Sequence, residues 1–479
     1  MNRSMIRFLL SKLLLIEALL LLVPLLVAFI YQEDQTVILS ILLTMGILLI
    51  LGGLGVFFKP KNYHIYTKDG LMIVALCWVL WSFFGALPFV FSGQIPNLID
   101  AFFETSSGFT TTGATILPDV SVLSHSLLFW RSFAHLIGGM GVLVFALAIM
   151  ENSKNGHLEV MRAEVPGPVF GKVVSKLKDT AQILYVIYLV MFAVFTASLC
   201  IAGLPVFDSF IIAMGTAGTG GFAVYNDSIA HYNSPLLTYL ISFGMLAFGV
   251  NFNLYYLLLI RKVKAFFSDE ELKTYIGIVV ASTLMITFNI FNLYGSISKS
   301  LEYAFFEVST IMTTTGFGVT DLTKWPLFSQ YILLLLMFIG GSAGSTAGGF
   351  KVMRALIVSK ITKNQILSSL YPNRILSLHI NHSVLDKETQ HGVLKYLGIY
   401  LMLFISLVFF LTLDNNDLMT VISAAASTFN NIGPMLGTNE TFAIFSPFSK
   451  FLMSLAMIAG RLEIYPLLLL FLPKTWSKT

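Results

Sequence analysis

The sequence predicts an all-α polytopic membrane protein with four pseudo-symmetric repeats of helix, half-helix, loop and helix, preceded by two N-terminal transmembrane helices. Composition is the first observation behind this prediction, because hydrophobic residues make up 56% of the 479 residues and charged residues only 11%. Together with a mean hydropathy of +0.82, this is too apolar for a soluble protein of this length. The second observation is a short apolar run, ending in a glycine-containing loop, that recurs roughly every 100 residues.

Ten apolar segments have the length of about 20 residues that crosses ~30 Å of hydrocarbon. They cover residues 8–30, 36–58, 70–92, 126–150, 179–203, 235–260, 273–294, 327–350, 392–413 and 448–472. The last eight segments form four pairs, and each pair flanks one short run. The predicted division is a two-helix extension at 1–68 and repeats at 69–150, 151–260, 261–360 and 361–479, of which the second opens with a cytoplasmic linker.

The four short runs cannot cross a bilayer, and each is predicted to be a half-helix followed by an extended loop. They read DAFFETSSGFTTTGAT from Asp100, DSFIIAMGTAGTGGFA from Asp208, EYAFFEVSTIMTTTGFG from Glu302 and DLMTVISAAASTFNNIGPM from Asp417. We call the loops 1 to 4; they cover residues 111–115, 219–223, 314–318 and 430–434. Aligned, they share only one residue, the glycine at Gly113, Gly221, Gly316 and Gly433.

Lysine and arginine predict the orientation of the spans. The basic residues precede the first span or follow an even-numbered one, so they share one side, and both termini are expected to be cytoplasmic. The opposite side is mostly acidic, and the half-helices enter from it. Two basic segments, 151–180 and 360–395, are either docking surfaces for a cytoplasmic partner or loops that only fix the topology.

Irregular backbone at membrane depth survives only when it is buried in protein or lines a water-filled cavity. Four such loops around one axis would make a central pore, and the shared glycine lets the backbone turn its carbonyls inward. A ring of carbonyls can replace the hydration shell of a monovalent cation, and half-helices that end at the pore direct their partially negative C-termini toward it. Glycine and threonine are also common in ordinary helix contacts, but four copies in register favour the pore.

Further motifs accompany the loops: GGMGVLVFALAIM from Gly138, MRAEVPGP from Met161, GGSAGSTAGGFKV from Gly340 and GRLEIYP from Gly460. With these motifs the chain resembles the TrkH branch of the Trk/Ktr/HKT superfamily of potassium transporters. The resemblance covers essentially the whole chain, including the two extra N-terminal helices. It implies potassium uptake across a bacterial inner membrane by a homodimer that a cytoplasmic TrkA-type nucleotide-binding ring gates.

The resemblance also implies which residues contact the ion. The expected filter residues are Thr111, Thr112, Gly113, Thr219, Gly220, Gly221, Thr314, Thr315, Gly316, Asn431, Ile432 and Gly433. Of these, the expected potassium contacts are Thr112, Gly113, Gly220, Gly221, Thr315, Gly316, Ile432 and Gly433. Two residues beside the filter, Gly218 and Met435, depart from the family pattern of serine and glycine. Since only one residue recurs in all four loops, we expect one well-formed carbonyl layer and softer selectivity than in a channel of four identical subunits.

The eighth span is interrupted by GGSAGSTAGG at residues 340–349, which we call the interrupting segment. Each glycine costs up to ~1 kcal/mol in a helix interior, so an unwound loop below the filter is expected, and broken helices mark ion paths in transporters. The resemblance implies that this loop blocks the inner pore when the gate is closed. A close-packed helix contact is the alternative. The expected gate residues are Gly340, Gly341, Ser342, Gly344, Ser345, Gly348, Gly349 and Arg461.

Several charged side chains lie within predicted spans or beside them. Arg461 is expected near the middle of the last span, reaching the pore below the filter, with a structural ion pair as the alternative; Glu463 projects from another face. Arg131 and His135 are expected to snorkel or to make helix contacts. His379 and His382 lack further ligands at metal spacing and are expected to be solvated. Glu17 in the first span has no explanation in the sequence.

The sequence is weighed against three functions: potassium uptake, sodium transport and membrane-embedded catalysis. Gated potassium uptake is the first, with potassium as the transported ion and no organic cofactor, and with lipid but no nucleic acid as a partner. A sodium-permeant or sodium-coupled relative is the second, and the filter sequence leaves it open, together with the choice between electrodiffusion and symport. An enzyme would need convergent catalytic groups at membrane depth, such as an HExxH helix, paired aspartates or a GxSxG turn with its catalytic partners, and we recognise no such set in the sequence.

Overall fold

Long and short helices alternate along the chain in a computed structural model that describes residues 1–139, 141, 177–373, 377–381 and 383–476. The α-helices in chain order are α1 (Arg3–Leu20), α2 (Leu22–Ile30), α3 (Gln35–Phe57), α4 (Thr67–Phe91), α5 (Leu98–Phe109), α6 (His125–Gly139), α7 (Leu177–Ile201), α8 (Val206–Gly218), α9 (Pro235–Phe248), α10 (Phe252–Leu259), α11 (Val263–Ser268), α12 (Glu270–Tyr294), α13 (Ile297–Met312), α14 (Leu327–Ile339), α15 (Val352–Leu370), α16 (Lys387–Leu411), α17 (Leu418–Phe429), α18 (Pro447–Arg461) and α19 (Tyr465–Phe471). Strands β1 (His379–Ile380) and β2 (Ser383–Val384) pair antiparallel, with His379 opposite Val384.

The predicted spans differ from the observed helices at several breaks. Within the described residues, six helices are long and apolar enough to cross a membrane, or seven if one bent pair counts as a span. That pair, α9 and α10, corrects the prediction of one continuous helix at 235–260, because its axes bend by 89°. The side chain of Asn251 caps α10 by accepting from the Asn253 amide, which starts a new helix there.

The last predicted span, 448–472, is also broken. Helix α18 ends at Arg461, and Glu463 and Ile464 take positive φ angles of 56° and 71° before α19 begins. The fourth predicted span, 126–150, begins with α6, and most of its second half lies outside the described residues. The first span begins at Arg3 rather than at residue 8.

Four short helices occupy the centre of the bundle: α5, α8, α13 and α17, of 12, 13, 16 and 12 residues. Each packs against the second helix of the preceding predicted repeat: α5 against α18, α8 against α6, α13 against α9 and α17 against α14. The first repeat thus contacts the fourth, so the four units close into a ring. In α5, all residues from Ala101 to Phe109 are buried.

The N-terminal helices pack on the outside of the first repeat, where α1 contacts α3 and α4. Glu17 on α1 is fully buried, and its two carboxylate oxygens find no hydrogen-bond partner among the described residues. One of these oxygens faces the bare backbone of Gly85 on α4.

Glycine allows one close helix contact in the fourth repeat. A Cβ atom at Gly460 on α18 would lie 2.0 Å from the carbonyl oxygen of Phe429, the last residue of α17. Gly138 on α6 repeats this contact, since its Cβ would lie 1.8 Å from the Phe109 carbonyl oxygen at the end of α5. Because the neighbour is backbone in both cases, no rotamer change can make room.

Gly460→Ala should destabilise the protein by about 1–3 kcal/mol, the usual cost of overpacking a filled site. Thermal unfolding of the purified protein in detergent, followed by intrinsic fluorescence, measures the effect. Gly398→Ala on α16 is the matched control, since a Cβ there meets nothing within 4 Å and alanine is the better helix former. Equal transition temperatures for the two variants would contradict the assigned contact.

Candidate functional site

The four loops share one backbone conformation although their side chains differ. The residue two positions before each shared glycine is left-handed, with φ between 56° and 58°: Thr111, Thr219, Thr314 and Asn431. The shared glycines also have positive φ, with 79° at Gly113, 76° at Gly221, 91° at Gly316 and 111° at Gly433. Left-handed threonine is unfavourable in isolation, so the surrounding structure must impose this conformation.

The half-helices end in a recurrent hydrogen-bond pattern. The residue before each shared glycine donates its amide to the carbonyl five residues earlier: Thr112 to Ser107 and Gly220 to Gly215 at 2.8 Å, Thr315 to Thr310 at 2.8 Å, and Ile432 to Ser427 at 2.9 Å. This is the longer bond of a Schellman cap, with a left-handed residue at its centre. The cap turns the chain away from the helix axis and leaves the negative end of the helix dipole beside the loop.

The shared glycines place the loops in a closed ring. A Cβ at Gly113 would lie 1.9 Å from the Gly220 carbonyl oxygen in loop 2. The same contact recurs around the ring: Gly221 with Thr315 at 2.1 Å, Gly316 with Ile432 at 2.0 Å, and Gly433 with Thr112 at 2.8 Å. Each shared glycine therefore touches the carbonyl that precedes the next shared glycine. A side chain at any of the four positions would strike the neighbouring loop.

All of the predicted filter residues thus come together in this ring. Asn431 connects loop 4 to loop 1, because its side-chain amide donates to the Thr112 hydroxyl and to the Met457 carbonyl, both at 2.9 Å. Hydroxyl groups of the half-helices hold two of the shared glycines: the Gly316 amide donates to Thr310 Oγ1 at 3.0 Å and the Gly433 amide to Ser427 Oγ at 2.9 Å. These hydroxyls were not among the predicted site residues, although a hydroxyl six residues before the glycine recurs in three of the four runs.

The two departures beside the filter differ in their surroundings. The structure explains why glycine stands at position 218, because a Cβ there would lie 2.3 Å from the His135 carbonyl oxygen. The second half-helix therefore approaches α6 more closely than a serine would allow. Met435 is buried beyond loop 4, and nothing in the structure explains why methionine stands there.

The interrupting segment is unwound, as predicted, and it lies directly against loops 3 and 4. Helix α14 ends at Ile339, and α15 begins at Val352. The Gly348 amide donates to the Thr314 hydroxyl at 2.6 Å, and a Cβ at Gly348 would lie 2.3 Å from the Asn430 carbonyl oxygen. Gly340 and Gly349 pack backbone against backbone at the two ends of the segment.

The bend between α9 and α10 pairs with the interrupting segment. The Ser342 amide donates to the Gly249 carbonyl at 3.1 Å, and the Phe252 amide donates to the Gly344 carbonyl at 3.0 Å. Two broken helices thus satisfy each other's free backbone groups, which neither could leave unpaired inside the membrane. This pairing is the physical reason for the bend that the hydropathy of 235–260 did not reveal.

Arg461 is buried and holds the interrupting segment from the other side. Its guanidinium donates to the Thr346 carbonyl at 2.6 Å and to the Gly138 carbonyl at 2.8 Å. It terminates α18 instead of lying within a continuous helix, which corrects its predicted position. Glu463, just after the end of α18, does not pair with Arg461. Its carboxylate accepts a hydrogen bond from Arg354 on α15.

Comparison with known proteins decides the family. A family model described as TrkH, cation transport protein, matches residues 39–478. The chain belongs to the TrkH family of cation transport proteins. It is similar to the Trk system potassium uptake protein TrkH of Salmonella typhimurium, with 34% identity over 88% of each chain, and to that of Vibrio parahaemolyticus, with 32% identity over 99% of each. The crystal structure of the potassium transporter TrkH from Vibrio parahaemolyticus superposes over 100% of both chains with a TM-score of 0.90 at 29% identity.

In this member of the TrkH family, Arg131 and His135 do not snorkel, which corrects the first of the two expectations for them; they make contacts between buried elements. The Arg131 Nε atom lies 2.5 Å from Glu104 Oε1, and both side chains are buried. The His135 Nδ1 atom lies 2.8 Å from the Gly108 carbonyl oxygen, and the Phe222 amide donates to Nε2 at 3.3 Å. The imidazole ring of His135 therefore bridges the Gly108 carbonyl of half-helix α5 and the Phe222 amide of loop 2.

The remaining titratable candidates lie away from the ring. His379 is exposed on β1, as expected, and His382 lies outside the described residues. Among the residues described, no group of three or more His, Cys, Asp or Glu side chains could hold a metal ion. Cys77 is buried on α4, and Cys200 is partly buried on α7.

Glu271 was not among the predicted site residues, but it contacts the interrupting segment. It is buried in the first turn of α12, and its Oε1 atom accepts from the Ala343 amide at 2.7 Å and from the Met353 amide at 3.1 Å. One carboxylate thus joins the two ends of the break between α14 and α15. Its position beside basic residues such as Lys273, which the sequence predicts to lie on the cytoplasmic side, concealed this role.

Glu271→Ala should destabilise the protein strongly, because each buried amide left without an acceptor costs about 1–3 kcal/mol. Thermal unfolding in detergent tests this. The adjacent Glu270→Ala is the matched control: its partner Lys360 is partly exposed, and an exposed pair contributes about 0–1 kcal/mol. A smaller loss in Glu271→Ala than in Glu270→Ala would show that the carboxylate does not hold the interrupting segment.

Proposed function

We propose that this protein takes up potassium through a central pore lined by the backbone carbonyls of loops 1 to 4. The observation that carries the proposal is the closed ring, in which each shared glycine touches the carbonyl before the next one. A ring of inward carbonyls can replace the water around a monovalent cation. The names of the relatives from Salmonella typhimurium and Vibrio parahaemolyticus, Trk system potassium uptake proteins, agree with potassium as the transported ion.

Electrostatics supports a cation path along the ring axis. The half-helices end at the ring, so their C-terminal dipole ends add negative potential there. Short turns beyond loops 1, 2 and 3 begin at Asp119, Asp227 and Asp321, and acidic groups at a mouth raise the local concentration of cations. The Thr323 hydroxyl and amide both donate to the Asp321 carboxylate. These hydrogen bonds lower the pKa of that carboxyl to about 2, so it is charged at neutral pH.

We infer that the interrupting segment and Arg461 form the gate. Arg461 fixes Thr346 of the segment to Gly138 of α6, while Gly348 bonds to Thr314 of loop 3. The segment lies against the loops, and moving it requires these bonds to break. A buried guanidinium beside the path would also repel cations until the segment moves.

Membership of the TrkH family supports a proposal for the wider assembly. We infer a transporter without enzymatic activity, placed in the bacterial inner membrane with both termini cytoplasmic, that works as a homodimer under a TrkA-type nucleotide-binding ring. We infer that potassium is the transported ion and that this chain holds no organic cofactor. Whether uptake is symport or electrodiffusion is decided by reconstitution, in which flux is measured with and without a pH gradient.

Gly316→Ser should abolish selective uptake, because the side chain would strike the Ile432 carbonyl at a φ of 91°. The test is rubidium uptake into proteoliposomes, competed by potassium, sodium and lithium. Wild type should show much stronger competition by potassium than by sodium. Gly318→Ser is the matched control two residues along, where a Cβ meets nothing within 4 Å, and it should behave as wild type.

Equal competition by sodium in wild type would assign a sodium-permeant pathway instead. An inserted Gly316→Ser protein with wild-type competition would contradict a filter built from the glycine ring. A potassium preference as steep as in channels of four identical subunits would refute the softer selectivity expected from one shared residue.

Arg461→Ala should raise rubidium flux in the absence of a cytoplasmic partner. Hydrogen bonds from a charged donor contribute about 1.5–3 kcal/mol each, and a change of 1.4 kcal/mol alters a closed-to-open ratio about tenfold. Arg461→Lys keeps the charge without the forked geometry and should stay closer to wild type. Unchanged or reduced flux in correctly inserted Arg461→Ala would contradict the gate.

A further inference from the structure

A buried carboxylate holds loop 1 from behind. Glu104 lies nine residues before Gly113 on α5 and is 1% exposed. It accepts hydrogen bonds from the Thr115 hydroxyl and the Ile116 amide, both at 3.0 Å. The outer end of loop 1 is therefore fixed to the half-helix that precedes it.

Arg131 joins this carboxylate to loop 2. Its Nε atom contacts Glu104 at 2.5 Å, and its guanidinium carbon lies 3.6 Å from the ring centroid of Phe222, the residue after Gly221. A cation over an aromatic face is attracted most when both are desolvated. The guanidinium thus lies between the carboxylate of loop 1 and the aromatic ring of loop 2.

His135 lies one helical turn further along α6 and makes a second connection between half-helix α5 and loop 2. One ring nitrogen contacts the Gly108 carbonyl of α5, and the other accepts from the Phe222 amide. With Nδ1 as the donor and Nε2 as the acceptor, a single neutral tautomer satisfies both bonds. Phe222 is therefore held by its ring through Arg131 and by its amide through His135.

The opposite side of the ring lacks this connection. Glu307 lies nine residues before Gly316 and accepts from the Val319 amide at 3.1 Å, as Glu104 accepts from Ile116. Within the described ranges, however, Glu307 makes no ion pair. Loops 2 and 4 have Ile212 and Ala424 at the equivalent position.

We propose that Arg131 and His135 are positioning residues that set the ion selectivity of the ring by fixing the separation of loops 1 and 2. This inference rests on the proposed function. Gly113 meets the Gly220 carbonyl at the same boundary, so a shift of Phe222 would move the carbonyl that loop 2 contributes. The number and placement of carbonyls around an ion determine which ion the ring prefers.

The test compares the ratio of sodium to potassium concentrations that halve rubidium uptake in proteoliposomes. Arg131→Met and His135→Ala should each lower this ratio about tenfold, which corresponds to about 1.4 kcal/mol between the two ions. Arg131→Met leaves the buried Glu104 charge unpaired and should destabilise the protein for that reason alone. The double variant Glu104→Gln/Arg131→Met removes both charges, so it should recover thermal stability while keeping the lowered ratio.

Lys450→Met is the matched control. It breaks an ion pair of 2.8 Å with Asp100 on the same half-helix, but in the part of the chain that the structure describes neither side chain is hydrogen-bonded to loop 1 or loop 2. Its ratio should equal that of wild type, and Arg131→Lys should lie between wild type and Arg131→Met. This pattern separates a specific effect on selectivity from a general loss of stability.

The outcomes separate the two proposals. A wild-type protein that does not prefer potassium would overturn the proposed function and this inference with it. A wild-type protein that prefers potassium, with the same ratio in the double variant and in His135→Ala, would overturn this inference alone. A lowered ratio in Lys450→Met as well would assign the effect to the half-helix as a whole and would also overturn it.

Discussion

Free backbone groups inside a membrane must find partners within the protein, and the centre of this structure depends on that constraint. The four half-helices end within the bundle, and Schellman-type caps satisfy their last carbonyls. The interrupting segment and the bend between α9 and α10 exchange backbone hydrogen bonds. Glu271 and Arg461 then supply an acceptor and donors for groups that remain. The half-helix ends, the interrupting segment and the bend between α9 and α10 therefore form one connected region of irregular backbone.

Pseudo-symmetry in this region is a property of the backbone more than of the side chains. Thr111, Thr219, Thr314 and Asn431 have nearly the same left-handed φ, although one of them is asparagine. The side chains that support the four loops differ. Glu104 supports loop 1 and Glu307 supports loop 3, and Arg131 pairs with Glu104. A single chain can thus vary the support of each loop independently, which a channel of identical subunits cannot do.

Helix packing reinforces the same ring. Each half-helix contacts the second helix of the preceding repeat, and Gly138 and Gly460 allow two of these helices to touch a half-helix carbonyl. Burying a polar group inside the membrane costs free energy unless that group is hydrogen-bonded. Close backbone packing at glycine and hydrogen bonds from side chains therefore both stabilise the ring. Arg461, which bonds to both α6 and the interrupting segment, lies where these two kinds of contact meet.

The sequence by itself determined the membrane class, the four repeats, the shared glycines and the unwound segment at 340–349, because hydropathy, periodicity and glycine content act locally along the chain. It did not determine the bend at 249–251, the end of α18 at Arg461, or the burial of Arg131 and His135. Those features depend on which distant group faces each residue: the Gly344 carbonyl for Phe252, the Thr346 carbonyl for Arg461, and Glu104 for Arg131. Hydropathy averages over a window and carries no information on such partners. Only the tertiary structure decided them, since a charge in a membrane span is stabilised by specific groups from other segments.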